Sequence, residues 1–431
     1  MSRLTGPLKI ESLAYGGKAI ARSDGKVLFV AGAAPGDLAI CRLTREKKRH
    51  AEAELVELLE PSPRRRTPPC PVADRCGGCQ WQYLPYADQC RWKDEIFRDL
   101  LQRQAGADPQ RILPIVPAPR EWQYRSRVQF KCARRQGRFL SGFYRTGSHD
   151  VVDVDRCPVL AQELNAVLAQ IKPLLAASPF AGSIPQIDMG VGDDGQVRVV
   201  LHTRGDGRAL AAYCRPAAER AGFSLFLQSE RRSAPQHVCG PIDLQISVDQ
   251  PPLRLGYGPR GFAQINAQQN RALVAAVVRA AQLTGSEAVL DLYCGMGNFS
   301  LPLARRAGQV VAVEENAPSI DKGRENAAAN GIANLSFVCR PADGFLSEAA
   351  AQAYFDLVLL DPPRSGAGSV AIELLQHRPR KIAYVSCDPA TLARDLKLLL
   401  AGGYRLVSSR PFDMFPQTYH VESLTVLERD R

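Results

Sequence analysis

The stretch YVSCDPATL, residues 384–392, carries a thiol where an apolar run ends and the chain must turn. Free cysteine packs well as a small hydrophobe, so Cys387 needs support from elsewhere. In EAVLDLYCGMGNFSLPLARRAG, residues 287–308, an apolar run leads into Gly295 and Gly297 and then into a helical pattern. Glycines there let a ligand approach the backbone, and the helix start offers unpaired N–H groups. Position 300 is Ser, so the third glycine of a dinucleotide fingerprint is missing. The next run, QVVAVE, ends in Glu314, an acid placed to accept from two ribose hydroxyls. A helix end facing a carboxylate and an acid facing ribose suit S-adenosylmethionine better than a nicotinamide dinucleotide. FDLVLLDPPRSG, residues 355–366, puts Asp361 at the end of another run, with two prolines stiffening the turn. Strand ends of an open α/β sheet share one rim and display reactive groups there. Asp361, the glycine loop and Cys387 therefore point chemistry at one edge.

A thiol beside a methyl donor has a defined task. C5 of uracil is too weak a nucleophile to take a methyl group unaided. A thiolate adding to C6 makes an enolate that attacks from C5. A base must then remove the C5 proton. PFDMFPQTYHVESLTVLER, residues 411–429, offers Glu422 and, two residues earlier, His420. Amino-methyltransferases carry an aromatic residue after Asp/Asn-Pro-Pro. Arg364 stands there instead, which makes an exocyclic amine a less natural target.

CPVADRCGGC, residues 70–79, spaces Cys70, Cys76 and Cys79 as Cys-x5-Cys-x2-Cys, and DVDRCPVL supplies Cys157. All-sulfur ligation means a four-cysteine zinc site or a [4Fe–4S] cluster, and spacing alone leaves both open. The long first gap excludes the radical S-adenosylmethionine motif. Cys90 is an alternative fourth ligand, though it falls in a helical stretch. Cys41, Cys132, Cys214, Cys239, Cys294 and Cys339 read as packing residues.

The elements that must carry these groups follow from patterning. Residues 8–60 alternate and are punctuated by Gly-Gly, Asp-Gly and Pro-Gly-Asp, which predicts five short strands and a small barrel of the oligonucleotide-binding kind. PSPRRRTPPCP, residues 61–71, reads as a linker. Residues 70–260 are mixed, with helices expected near 88–104 and 158–176 and strand-rich text around 124–145, 195–203 and 241–257. From about residue 264 helix and strand alternate, the signature of a doubly wound, mostly parallel sheet. The expected domains are 1–62, 63–260 and 261–431.

Size and charge agree with this division. A chain of 431 residues exceeds one ordinary core. No apolar run reaches membrane-spanning length, and the N-terminus lacks a secretory h-region, so the expected location is the cytoplasm. Twelve cysteines in that compartment suggest metal ligands, a nucleophile or core packing rather than disulfides. The net charge of +11 is uneven: residues 111–145 carry nine Lys/Arg against one Glu. Residues 1–66 carry thirteen Lys/Arg against eight Asp/Glu. Such a focus suits a phosphate backbone. Trp122, Tyr124, Phe130, Phe139, Phe143 and Tyr144 interleave the basic run, some as strand interiors and some suited to stacking on bases.

DLYCGMGNFSLPLA, LDPPRSG, YVSCDPATLARDL and DMFPQTYHVESLTVLER together resemble the RNA uracil-5-methyltransferase family, over essentially the whole chain. The first sixty residues look like a TRAM domain, an OB-like RNA-binding barrel. Length and order are similar to the subfamily that methylates a uridine of 23S ribosomal RNA and carries a [4Fe–4S] cluster. The resemblance implies a Rossmann-like α/β S-adenosylmethionine methyltransferase domain, a TRAM barrel and a central α+β iron–sulfur domain. It implies Cys387 as nucleophile and Glu422 as proton acceptor. Gln264, Tyr293, Asn298, Glu314 and Asp361 match cofactor contacts, and Phe262 an aromatic beside the uracil. Asp343 fills the adenine-contacting position, where spacing varies. On Cys70, Cys76, Cys79 and Cys157 the resemblance favours [4Fe–4S]. The expected partner is 23S ribosomal RNA, met by a monomer with no obligate protein partner. Competing readings are a transfer-RNA uracil-5-methyltransferase, an RNA cytosine-5-methyltransferase, and a non-catalytic RNA-binding protein. The cytosine enzymes usually place a cysteine where DPPR stands here.

Overall fold

Small inward residues close the first sixty positions into a barrel. The computed structural model describes residues 3–23, 25–229, 233–348 and 354–429. Strands β1 (Leu8–Leu13), β2 (Ala19–Ser23), β3 (Lys26–Ala31), β4 (Leu38–Glu46) and β5 (His50–Glu60) ring up in the order β1-β2-β3-β5-β4. Ile10, Ala19, Ala21, Val30, Ala39 and Cys41 fill it and are almost fully enclosed. Alanine at so many inward positions is what a narrow barrel can hold. The β1–β2 turn needs its glycines: Gly16 and Gly17 have φ of +94° and +86°, where L side chains are strained.

Residues 61–71 form no strand or helix, yet they are not free. Arg64 pairs with Asp88, Arg65 with Asp37 and Arg66 with Glu121. Three of the positive charges counted in the first 66 residues are thus engaged by the protein itself. Helix α1 (Tyr86–Leu100) follows and continues through a π-turn to Ala105, close to the expected 88–104.

The central region is a seven-stranded sheet ordered β12-β11-β10-β9-β6-β7-β8. Its strands are β6 (Arg127–Arg135), β7 (Arg138–Tyr144), β8 (Val151–Asp153), β9 (Gln186–Val191), β10 (Val197–His202), β11 (Ser224–Gln228) and β12 (Gln236–Cys239). Helices α2 (Gln162–Ala177) and α3 (Arg208–Ala221) pack on one face through Leu164, Leu168, Ile171, Leu210 and Cys214. Helix α3, which the sequence reading did not single out, runs on through Pro216 and buries Leu210, Cys214 and Ala218. Strand β11 is buried at all five positions and shows no alternation. Tyr124, Phe130 and Phe139 belong to this core, while Tyr144 is exposed.

A hairpin, β13 (Leu244–Val248) and β14 (Leu253–Tyr257), leads to helix α4 (Ala267–Ala281) and the last sheet. That sheet holds β15 (Ala288–Leu292), β16 (Gln309–Glu314), β17 (Leu335–Cys339), β18 (Leu357–Leu360), β19 (Lys381–Ser386), β20 (Tyr404–Phe412) and β21 (Glu422–Arg429). Their order is β17-β16-β15-β18-β19-β21-β20. The first five are parallel, and β21 and β20 are antiparallel. Helices α5 (Ser300–Ala304), α6 (Ala317–Ala329), α7 (Gly368–His377) and α8 (Pro389–Ala401) alternate with these strands. Separate apolar clusters cover the two faces, and Phe97 and Leu101, from α1 and its extension, join one of them. Strands β15, β16, β18 and β19 end on one rim, and β21 begins there because it runs the other way. Among the described residues no helix is long and apolar enough to cross a membrane.

Candidate active site

Strand β19 is buried at all six positions, so it carries no reactive group until it leaves the sheet at Cys387. The antiparallel register pairs Ser386 with Ser423, and one step further sets Cys387 across from Glu422. Asp361 leaves β18, the neighbouring strand on the other side. The thiol is half-buried, and burial pushes it up to about 12, with Glu422 and Asp361 adding to the rise and Arg364 opposing it. Glu422 is almost fully enclosed, and its Oε1 has no hydrogen-bond partner. Burial raises its pKa well above the carboxylate range, Asp361 raises it further, and Arg364 opposes. Burial also raises Asp361. Burial in the free protein therefore favours the protonated form of both Cys387 and Glu422. His420 is pushed down to about 4 by burial, with Arg364 and Lys93 adding to the fall, so its ring is neutral.

The next residue, Asp388, caps helix α8: its Oδ1 accepts from Ala390 N and Thr391 N, both at 3.0 Å. Its Oδ2 accepts from the hydroxyl of Tyr15, in the β1–β2 turn of the barrel, at 2.5 Å.

The glycine loop follows β15 on the same rim. Tyr293 adopts a left-handed φ of +66° and is half-buried. Glu314 ties the loop to β16: Oε2 accepts from Gly295 N at 3.2 Å and Oε1 from Asn316 N at 2.9 Å. Asn298 exchanges two hydrogen bonds with Asn270 of α4, at 2.8 and 3.1 Å. Asp291 lies beneath, fully buried; Ser300 Oγ donates to its Oδ2 at 2.5 Å and its Oδ1 has no partner. Burial pushes Asp291 up to about 7, against the Ser300 bond and with Asp361 and Glu314 raising it further. Asp343 is exposed, bonds Ser369, and faces Tyr293 electrostatically. Gln264 is half-buried on the segment before α4, and the carbonyl of Ile265 beside it accepts from Ser126 N at 2.7 Å. Phe262, on that segment, is 62% exposed with the Arg127 guanidinium 5.5 Å from its ring centre.

Residues 86–430 match the family described as tRNA (Uracil-5-)-methyltransferase. The chain belongs to this family. An uncharacterized RNA methyltransferase of Gloeobacter violaceus is 37% identical over 97% of this chain and 95% of its own. A 23S rRNA (uracil(1939)-C(5))-methyltransferase of Pectobacterium atrosepticum is 36% identical over 98% of this chain and 93% of its own. The crystal structure of Pyrococcus abyssi tRNA (uracil-54, C5)-methyltransferase with S-adenosyl-L-homocysteine superposes with a TM-score of 0.78 at 26% identity, covering 98% of this chain and all of that one. The protein is thus an S-adenosylmethionine-dependent RNA (uracil-5-)-methyltransferase.

In this methyltransferase the four expected cysteines are brought together. Cys70, Cys76, Cys79 and Cys157 line one pocket with Val72, Phe143, Val154 and Val159. Gly77, between two of them, is there for close approach, while Gly78 has room for a side chain at ordinary contact distance. A Cβ on Gly77 would stand 2.8 Å from Tyr144 O, and one on Gly78 would sit 3.5 Å from Cys76 Sγ. Gly78 N donates to Cys76 Sγ at 3.4 Å. Asn165 fixes the Cys157 backbone, accepting from its N–H at 2.9 Å and donating to its carbonyl at 3.0 Å. Among the described residues no three His, Cys, Asp or Glu side chains gather tightly enough to hold a metal ion. Cys90 turns away, 3.9 Å from Asp413. Cys339, expected in packing, is exposed.

Sequence reasoning did not single out Tyr15, Asp388, Asp291 or Asn270, and it read Arg364 only as a departure from another enzyme class. The Asp-Pro of DPATL carried a signal for Asp388: an acid before Pro at a helix start is a cap. Nothing local marked Tyr15.

Proposed function

We propose that this methyltransferase methylates C5 of a uridine in 23S ribosomal RNA, with Cys387 as nucleophile and Glu422 as proton acceptor. The observation that carries the reading is the thiol across from a buried carboxyl whose Oε1 has no hydrogen-bond partner, on the rim where the glycine loop ends. The 23S assignment is supported by relatives such as the Pectobacterium atrosepticum enzyme at 36% identity. Gln264, Tyr293, Asn298, Glu314, Asp343 and Asp361 would hold S-adenosylmethionine, which supplies the methyl group when bound. Cys387 sulfur bonds C6 of a uracil swung out of its stack, and C5 becomes nucleophilic. Arg364, the cation that opposes the upward shift of both groups, steadies the thiolate as the Cys387 proton passes to solvent. Glu422, once its own proton has also gone to solvent, takes the one on C5 of the methylated adduct, and the C6–S bond breaks to return the thiolate. Phe262, exposed beside Arg127, offers a stacking face for a base.

Cys70, Cys76, Cys79 and Cys157 would ligate a [4Fe–4S] cluster. Four thiols on one small pocket are the donor set of either a four-cysteine zinc site or a [4Fe–4S] cluster, and the resemblance read from the sequence favours the cluster. The domains are read as 1–62 for RNA, 63–260 around the cysteines and 261–431 for methyl transfer. The protein is read as a cytoplasmic monomer.

The test uses 5-fluorouridine-substituted RNA with S-adenosylmethionine, followed by a denaturing gel. Fluorine at C5 does not leave as a proton does, so a covalent complex should persist. A shifted band with 23S RNA, absent in Cys387→Ala, is expected. A band with transfer RNA alone would change the substrate and keep the chemistry. No band with either would remove Cys387 from the reaction. Protein purified without oxygen should contain iron and labile sulfide, and Cys79→Ser should lose both; full iron in that variant would strike Cys79 from the ligands.

A further inference from the structure

We infer that Tyr15, at the tip of the barrel's first hairpin, is a positioning residue for the nucleophile, acting through Asp388. The inference rests on the reading of Cys387 as nucleophile. Tyr15 lies 373 residues from Asp388 in the chain, yet its hydroxyl meets Asp388 Oδ2 at 2.5 Å. Asp388 follows Cys387 directly, and its other oxygen is already committed to two amides of α8. Its two oxygens therefore fix the turn from two sides: the helix holds one and the barrel holds the other.

The hairpin tip is built to stay there. Ala14 N donates to Lys18 O at 2.8 Å and Gly17 N to Ala14 O at 3.1 Å, closing a tight turn. Buried Trp81 donates Nε1 to Gly17 O at 3.0 Å. The backbone N–H groups of Gln80 and Trp81 both donate to Gln417 O at 3.0 Å. One short segment thus grips the barrel tip and the loop that leads into Glu422. The approach is close enough to demand glycine, since a Cβ on Gly17 would stand 2.7 Å from Tyr419 Cδ1. The Tyr15 ring meets Tyr419 edge-on at 6.0 Å, and Tyr419 lies 4.1 Å from His420 between ring centres. The barrel tip therefore touches both strand ends that carry the reacting groups: β19 through Asp388 and β21 through Tyr419. A barrel that only gripped RNA would have no need to reach either.

Tyr15→Phe removes the hydroxyl and keeps the ring contact. In the full-length protein it should slow single-turnover methylation about tenfold, since small misplacement of a reacting group costs rate steeply. Dissociation constants for RNA and S-adenosylmethionine, and the melting temperature, should stay close to wild type. A structural role alone would move those quantities and spare the rate. A double-mutant cycle supplies the second readout. If Tyr15 acts through Asp388, adding Tyr15→Phe to Asp388→Asn should slow the reaction little beyond Asp388→Asn alone. An unchanged rate in Tyr15→Phe, or full additivity in the cycle, overturns the inference. Cys387→Ala run alongside separates the failures: turnover in that variant sinks the parent reading instead.

Discussion

Glu422 opens the last strand with Oε1 facing no partner in an almost fully enclosed position. An ionised carboxyl left there is costly, so the group keeps its proton. The sign of the pH effect follows. The unfolded chain releases that proton near the ordinary value of 4.5, whereas burial and Asp361 raise the folded value well above it. Between those values the folded state binds more protons, so stability is full below about 4.5 and falls as pH rises. Asp291, pushed up to about 7, adds a decline over the same range. Glu422→Gln should therefore lose less stability between about pH 5 and pH 8 than wild type, as read from urea midpoints. Equal losses would place the ionisation elsewhere. The same substitution leaves addition intact and stalls elimination. With uridine RNA and S-adenosylmethionine it should accumulate a covalent protein–RNA complex on a denaturing gel. Ordinary turnover would move the base role to His420, whose neutral ring lies on the same segment.

At the scale of elements, helix α1 holds the segment leading into Glu422. Lys93 Nζ meets Asp413 Oδ1 at 2.6 Å with both side chains fully buried, and donates to Phe415 O at 3.0 Å. Gln89 exchanges two hydrogen bonds with Gln417, whose left-handed φ of +70° needs such support. Lys93→Ala leaves Asp413 buried without its cation, and should cost about 3–5 kcal/mol in urea unfolding. Pairing Lys93→Met with Asp413→Leu should recover most of that. A single-variant loss under about 1 kcal/mol would mean the pair is worth no more than a solvated one. None of this grip was legible beforehand, because residues 320 apart in the chain leave no local pattern. The rim was legible for the opposite reason. Cys387, Asp361 and Gly295 each follow an apolar run, and strand polarity brings such ends together whatever the details of packing. Five barrel strands were readable from alternation and turn residues. Strand β11, buried throughout, lacked any period to read, whereas helix α3 carries one in Leu210, Cys214 and Ala218 that the sequence reading missed. Arg64, Arg65 and Arg66 looked like part of a polyanion-binding charge and are instead ion-paired, because partner carboxylates arrive from distant elements.

For the whole molecule, what remains of the positive charge after such pairing should govern RNA affinity. Exposed cations collect at two hairpin tips. Lys47, Lys48 and Arg49 lie between β4 and β5, and Arg134, Arg135 and Arg138 flank the β6–β7 turn. Arg135 is partly spent on Asp150, at 2.7 Å. The barrel is anchored to the catalytic rim through Tyr15, so RNA contacted at its β4–β5 tip is held at a fixed offset from Cys387. Binding through phosphates releases counterions, and the logarithm of affinity falls with the logarithm of salt by about 0.7 per contact for single strands. Replacing Lys47, Lys48 and Arg49 together by Gln should reduce that slope by about 2 if all three meet phosphates. Affinity at low salt should fall with it, while the single-turnover rate at saturating RNA stays near wild type, because none of the three approaches the rim. Filter binding across a salt series reads the slope and quenched methylation reads the rate. A slope unchanged from wild type would take the β4–β5 tip out of the interface and leave the β6–β7 turn as the main electrostatic contact. A lost rate at saturating RNA would mean that the barrel transmits its grip to the nucleophile as well as positioning it, and the hydroxyl of Tyr15 is the contact through which it could do so.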